Sequence, residues 1–204
     1  MTRITFSTRE LRDLLAAWVA LGLAFAFFLD RSLAVGLLRT PSGSALMALA
    51  GMVVKSLLTV GIGFLLHELA HKIVAIRFGQ TAAFRADYGM LGIAIAAGLA
   101  GFLFAAPGAV HHRGHISPRE NGLIALAGPI VNLVLATVFL PLVFLGGILG
   151  EIGNLGVLIN VFLAAFNMLP FGPLDGRKVL DWNRLVFAAV FVPSVGLAAV
   201  MFLG

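Results

Sequence analysis

Apolar runs follow one another along this chain at 13–29, 46–76, 90–109, 121–149, 154–170 and 185–203, with few charges inside them. A bilayer core about 30 Å thick takes roughly 20 apolar residues per helix, and several of these runs approach or exceed that length. With 60% hydrophobic residues, 11% charged residues and a mean hydropathy of +1.05, the chain falls outside the soluble globular range. The membrane is therefore its solvent, and the predicted fold is an all-α polytopic bundle of five to six transmembrane segments. The first run lies where a signal peptide would. Asp30-Arg31 closes it without a small-residue cleavage site, so a retained helix is expected.

Because the sequence has no cysteine, disulfides and thiolate ligands are excluded, and any metal must sit on His, Asp or Glu. The net charge of +5 and pI near 10.8 do not point to nucleic acid, since Lys and Arg are scattered between apolar runs. They read as topology signals, with the lipid bilayer and its anionic headgroups as partner. No linker, low-complexity tract or internal repeat divides the chain, so one integral-membrane domain over 1–204 is expected. The 24 glycines suit close helix packing, and Gly51, Gly122 and Gly128 stand where neighbouring backbones can approach.

Charge placement chooses between topologies. With the N-terminus inside and six crossings, Arg3, Arg9, Arg12, Lys72, Arg77 and Arg85 lie inside, but seven other Lys and Arg residues lie outside. If 90–109 returns to the side it left, Arg113, Arg119, Arg177, Lys178 and Arg184 move inside, leaving only Arg31 and Arg39 out. The positive-inside rule thus favours five crossings, with 90–109 re-entrant or interfacial. Its Gly- and Ala-rich text ends in Pro107-Gly108, which suits a bend. Non-helical backbone at that depth needs protein or a wet cavity beside it, so a cavity is implied. An ordinary sixth crossing is the alternative that length alone suggests.

Within the second run, GFLLHELAHKIVAIRFG (Gly63–Gly79) carries two histidines and a glutamate. Residues four apart share a helix face, so His67 and His71 can grip one ion. Catalytic Zn²⁺ usually has three protein ligands and keeps its fourth position for water. Glu68 stands beside the first histidine, where it can take a proton from that water. Ionisable groups at the centre of a membrane helix cost at least about 2.5 kcal/mol each on insertion scales, a cost that metal ligation would offset. The plainer reading is a helix end in the headgroup zone, with Lys72 and Arg77 nearby, but it leaves the i, i+4 pairing unexplained.

The second constellation is NMLPFGPLDG, Asn167–Gly176. Pro170 and Pro173 stop the helix, and Asp175-Gly176 makes a turn that displays Asp175 at a helix end. With five crossings, 46–76 and 154–170 both run outward to inward, which puts Asp175 in the same membrane half as His67 and His71. A third ligand is then in reach. A proline-rich loop with a capping Asp is the alternative.

FLLHELAH together with NMLPFGPLDG resembles the site-2 protease family of intramembrane zinc metalloproteases, whose pattern is F-x-x-H-E-x-x-H followed by N-x-x-P-x-x-P-L-D-G. The resemblance covers about residues 46–182 and implies one Zn²⁺ per chain, held by His67, His71 and Asp175. It also implies Glu68 as general base and Asn167 as the group that orients or polarises the scissile carbonyl. Ala127–Asn132, AGPIVN, matches the family's G-P-x-x-N element, which implies that Gly128, Pro129 and Asn132 help shape the substrate region. An Asn amide can donate to a developing oxyanion. Asn167 and Asn132 can equally serve as helix-to-helix hydrogen bonds, the reading preferred for Asn132. Segment 90–109 is longer than the short loop or strand pair of some family members, and no PDZ-like module is expected.

The function so implied is intramembrane zinc endopeptidase activity on a transmembrane protein or peptide substrate, in regulated intramembrane proteolysis. Alternatives are a catalytically silent zinc-binding membrane protein that holds substrates and a metal permease, although the repeated halves common in permeases are missing. The small size and family point to a prokaryotic plasma membrane, with the N-terminus and active-site side cytoplasmic. His111, His112 and His115 are read as a polar surface loop rather than a second metal or pH-sensing site. Lys55 is expected to snorkel to the headgroups. Asp87-Tyr88 fits either an edge strand pairing with unfolded substrate or an interfacial loop.

Overall fold

The computed structural model describes residues 4–39, 42–102 and 107–203. Arg3 and the 103–106 part of segment 90–109 therefore lie outside the described residues. The chain is a helical, polytopic protein in which five helices are long and apolar enough to cross a membrane. Among the described residues the α-helices are, in chain order, α1 (Thr8–Leu29), α2 (Arg31–Arg39), α3 (Gly43–Ser56), α4 (Ile62–Arg77), α5 (Tyr88–Ala100), α6 (Pro118–Phe139), α7 (Gly147–Asn167), α8 (Asp175–Trp182) and α9 (Arg184–Leu203). A π-helical turn, Leu57–Gly61, joins α3 to α4, so the second candidate span runs unbroken over Gly43–Arg77.

Local chemistry sets these limits. Ser7 caps α1 by accepting the Glu10 amide, and Ser117 and Glu120 close a full capping box on α6 with Pro118 in its first turn. After α6 a 3₁₀ turn, Leu140–Leu145, leads into Gly146 and Gly147, whose φ values of 68° and 54° reverse the chain. The reversal thus falls earlier than the 150–153 break expected from hydropathy. Gly150, Gly153 and Gly156 instead lie within α7 as buried packing positions.

Segment 90–109 does not form a sixth long helix among the described residues. At 13 residues, α5 is about 20 Å long, short of the ~30 Å bilayer core, and it ends at Gly101 in the left-handed region. The chain then enters β2 (Gly108–Arg113), which pairs with β1 (Thr81–Ala86) in a two-stranded sheet. Apart from this short strand pair, the elements among the described residues are helical, in keeping with the expected all-α bundle. Asp87 is not in a strand: it caps α5 by accepting the Met90 amide, and Tyr88 opens that helix. His111 and His112 lie on β2, not in a loop. Gly51 has open space where a Cβ would stand, so it marks no close approach.

Backbone contacts divide the chain into two compact units. One comprises Met1–Thr5, Gly63–Ala83 and Val110–Gly204; its core gathers Ala125, Met168 and Val179 with Trp182, Phe187 and Phe191 packed against them. Gly122 makes room for Trp182, whose ring would come within 2.5 Å of a Cβ there. The other unit comprises Phe6–Ile62 and Phe84–Ala109, with α1 packed on α3 and α5. Buried acids at the start of α1 tie it together. Glu10 accepts the Phe84 amide at 3.0 Å, and Asp13 accepts the Tyr88 hydroxyl at 2.7 Å and faces Arg85 at 3.7 Å.

Candidate metal centre

One helical face and one helical start build the site. His67 and His71 lie one turn apart on α4, both buried, with ring centroids 4.6 Å apart and planes at 83°. Asp175 is the first residue of α8, likewise buried. Its placement depends on Gly176, because a Cβ there would run into the Met168 carbonyl oxygen at the end of α7. The family-like Asp-Gly pair thus packs the start of α8 onto the end of α7.

Asp175 Oδ2 lies 3.3 Å from His67 Nε2 and 3.1 Å from His71 Nε2. A tetrahedral Zn²⁺ with bonds of about 2.0–2.1 Å holds its ligand atoms roughly 3.3–3.4 Å apart, so the spacing fits. Among the described residues these three form the group able to hold a metal, with ligand atoms within 4.8 Å of one another. Burial opposes a charge on Asp175. The His71 imidazole and the hydrogen-bond contacts with His67 and His71 outweigh it and hold the carboxyl well below the usual carboxylate range.

The other ring nitrogens are already held. His67 Nδ1 is 2.6 Å from Asn132 Oδ1, and His71 Nδ1 is 2.7 Å from the Ile124 carbonyl oxygen, both on α6. Neither oxygen can donate, so each Nδ1 carries a proton, and in the neutral ring Nε2 is the atom able to ligate. Gly128, on the same helix, gives the rings their space: a Cβ there would stand 2.5 Å from both Nε2 atoms. Pro129 beside it is buried. Gly128 and Asn132 therefore lie against the imidazoles themselves.

Glu68 is buried next to His67 on α4, and its Oε2 accepts the Val110 amide of β2 at 3.1 Å. Lys72, also buried, donates to the Thr5 carbonyl at 2.7 Å rather than reaching a headgroup. Lys178 lies 3.5 Å from Asp175 Oδ1, the oxygen turned away from the histidines. Asn167 is half-buried at the end of α7 and donates to the Leu163 carbonyl of its own helix at 3.0 Å. His111 and His112 on β2, and His115 beyond its end, are not part of the ligand trio. His111 and His115 are exposed, and half-buried His112 is pushed below the ordinary imidazole range by burial and then by the charges of Lys178, His71 and His111.

Sequence reasoning missed three contributors. The Ile124 carbonyl and the Val110 amide are backbone groups and leave no mark in residue type. Asn160 did leave one, as an amide in an apolar helix about two turns before Asn167, and it bonds to Asn132 at 2.9 Å.

Comparison with known proteins now bears on this geometry. The chain is 40% identical over 201 residues to the protein named "Putative zinc metalloprotease MJ0611" of Methanocaldococcus jannaschii, covering 96% of each. This chain belongs to that zinc metalloprotease family. A second relative, "Putative zinc metalloprotease YwhC" of Bacillus subtilis, is 32% identical over 180 residues, covering 68% of this chain and 80% of that one. No family model and no solved structure matches the chain. Two imidazoles and one carboxylate, with a second carboxylate beside them, make a donor set able to hold a catalytic zinc ion.

Proposed function

We propose that this chain is an intramembrane zinc endopeptidase of the site-2 protease type, cutting a peptide bond in or near a transmembrane segment of its substrate. The observation that carries this reading is the convergence of His67, His71 and Asp175 beside Glu68, with both histidines and Glu68 inside a candidate membrane span. One Zn²⁺ per chain fits that donor set. Bound there, the ion would polarise the scissile carbonyl and acidify a water molecule.

The protein's own groups do the rest. Glu68, steadied by the Val110 amide, takes the proton from the attacking water and delivers it to the leaving amine. Asn167 gives one N–H to Leu163 and has a second to offer a substrate carbonyl. Gly128 and Asn132 serve the imidazoles rather than the substrate. A substrate helix hides its carbonyls in hydrogen bonds, so only an unwound or extended stretch can present one. The orientation we assign has the N-terminus and the metal centre toward the cytoplasm of a prokaryotic plasma membrane, with regulated intramembrane proteolysis as the role.

Glu68→Gln tests the reading. Purified in detergent, this variant is expected to hold zinc like the wild type and to lose cleavage of a reconstituted transmembrane substrate by at least about a thousandfold, the upper range of general acid–base contributions. Turnover near the wild-type rate would sink the mechanism.

A further inference from the structure

Behind the metal centre, on the side away from the ligating nitrogens, four hydrogen bonds run in series through buried amides. The Asn160 amide nitrogen donates to the Gly156 carbonyl at 2.9 Å. Asn160 Oδ1 accepts from Asn132 Nδ2 at 2.9 Å, and that same nitrogen donates to the Gly63 carbonyl at 3.2 Å. Asn132 Oδ1 then meets His67 Nδ1 at 2.6 Å. Both asparagines are fully buried, on helices α6 and α7 that are apolar enough to span a bilayer.

We infer that Asn160 is a positioning residue of the metal centre, setting the orientation and proton placement of His67 through Asn132. This rests on the zinc-site reading above and adds a residue that makes no contact with a ligating atom.

The direction of every bond in the series is determined. A backbone carbonyl can only accept, so Gly156 fixes which end of the Asn160 amide is nitrogen, and the oxygen must face Asn132. Asn132 then has acceptors at Asn160 and at Gly63, which use both of its N–H groups. Its oxygen is left for His67, so the proton sits on Nδ1 and the lone pair of Nε2 points to the Asp175 side. Without Asn160, one N–H of Asn132 loses its acceptor, and the longer bond to the Gly63 carbonyl is left to hold the amide. A less firmly held amide holds the Nδ1 proton and the ring plane of His67 less firmly in turn. Buried partners of this kind fix ligand geometry, and removing one typically costs about 10–100-fold in metal affinity. Gly63 adds an independent constraint: a Cβ there would stand 2.7 Å from Asn160 Oδ1, so only glycine leaves the amide in place.

The test is zinc affinity, by competition with a chromogenic chelator, for detergent-purified wild type, Asn160→Ala, Asn132→Leu and the double variant. Co²⁺ absorption spectra of each would report ligand geometry. Asn132→Leu is expected to weaken zinc by about 10–100-fold and Asn160→Ala by about tenfold, each with an altered Co²⁺ spectrum. The double variant should bind no more weakly than Asn132→Leu alone, because the influence passes through one residue. Gly63→Ala, which removes no polar group and displaces the Asn160 amide, should weaken zinc in the same direction. Affinity within twofold of wild type in Asn160→Ala or in Gly63→Ala would overturn the inference, as would multiplying losses in the double variant. If the wild type itself takes up no zinc, the metal-site reading falls and this inference with it.

Discussion

At the residue scale the site is limited by space as much as by donor chemistry. Gly128 faces both imidazoles, and neither ring can slide away, because Asn132 holds one Nδ1 and the Ile124 carbonyl holds the other. Gly128→Ala should therefore disturb both stability and metal binding. Overpacking costs about 1–3 kcal/mol against the roughly 0.5–1 kcal/mol that alanine gains over glycine in a helix, so the metal-free protein should melt somewhat below wild type. Zinc affinity should fall by at least about tenfold, since second-layer disturbance of ligands has that size. Chelator competition and a melting curve on the same sample decide it: unchanged affinity would mean the rings tolerate the methyl group. His67, Glu68 and His71 stood out in the sequence because ionisable groups are rare and costly inside apolar runs, and Asp175 through the Pro-rich stretch that displays it. The contact of Gly128 and Asn132 with the imidazoles was not legible there. A motif names residues without saying which way they face, and the same G-P-x-x-N text fits a substrate wall as well as an imidazole cradle.

At the scale of elements, the long helices were readable from hydropathy and the strands were not. Thr81–Ala86 reads TAAFRA and Gly108–Arg113 reads GAVHHR, neither with the clean alternation that marks a half-buried strand. The strand nevertheless reaches the chemistry through its backbone. The Val110 amide points at Glu68 Oε2 at 3.1 Å, so it is not spent on the partner strand. Proline is tolerated at a strand position whose N–H faces out of the ladder, which makes Val110→Pro a selective probe. Zinc content should stay at the wild-type value while turnover drops by about 10–100-fold, the range expected when a charged group loses a hydrogen bond worth about 1.5–3 kcal/mol. Wild-type turnover in that variant would show that Glu68 is held by its own helix alone. The misplaced boundary between α6 and α7 has a similar origin. Apolar text continues through Leu140–Leu145, and only the positive φ at Gly146 and Gly147 ends the hairpin, which hydropathy does not register.

At the scale of the whole molecule, the number of membrane crossings decides which side each charged connection faces. Five spans with the N-terminus inside place Arg77, Arg85, Arg113, Arg119, Arg177, Lys178 and Arg184 on one side and Arg31 and Arg39 on the other. That asymmetry is what the positive-inside rule describes, and it exists only if the connection containing α5 returns to the side it left. The short length of α5 agrees, and the sequence had already favoured five crossings from charge alone. Because the chain has no cysteine, introduced cysteines report without background. Gly43, Phe144 and Arg119 are exposed, and none is among the proposed catalytic, ligating or positioning residues. In intact cells a membrane-impermeant maleimide should label Gly43→Cys, before the second span, and Phe144→Cys, between the third and fourth. Arg119→Cys, at the start of the third span, should label only after permeabilisation. The reverse pattern would invert the orientation while leaving the count intact. Labelling of Arg119→Cys from the same side as Gly43→Cys would instead mean that the α5 connection crosses the membrane, putting α7 and α4 in opposite directions. His71 and Asp175 would then lie toward opposite membrane faces, and their 3.1 Å approach could not stand.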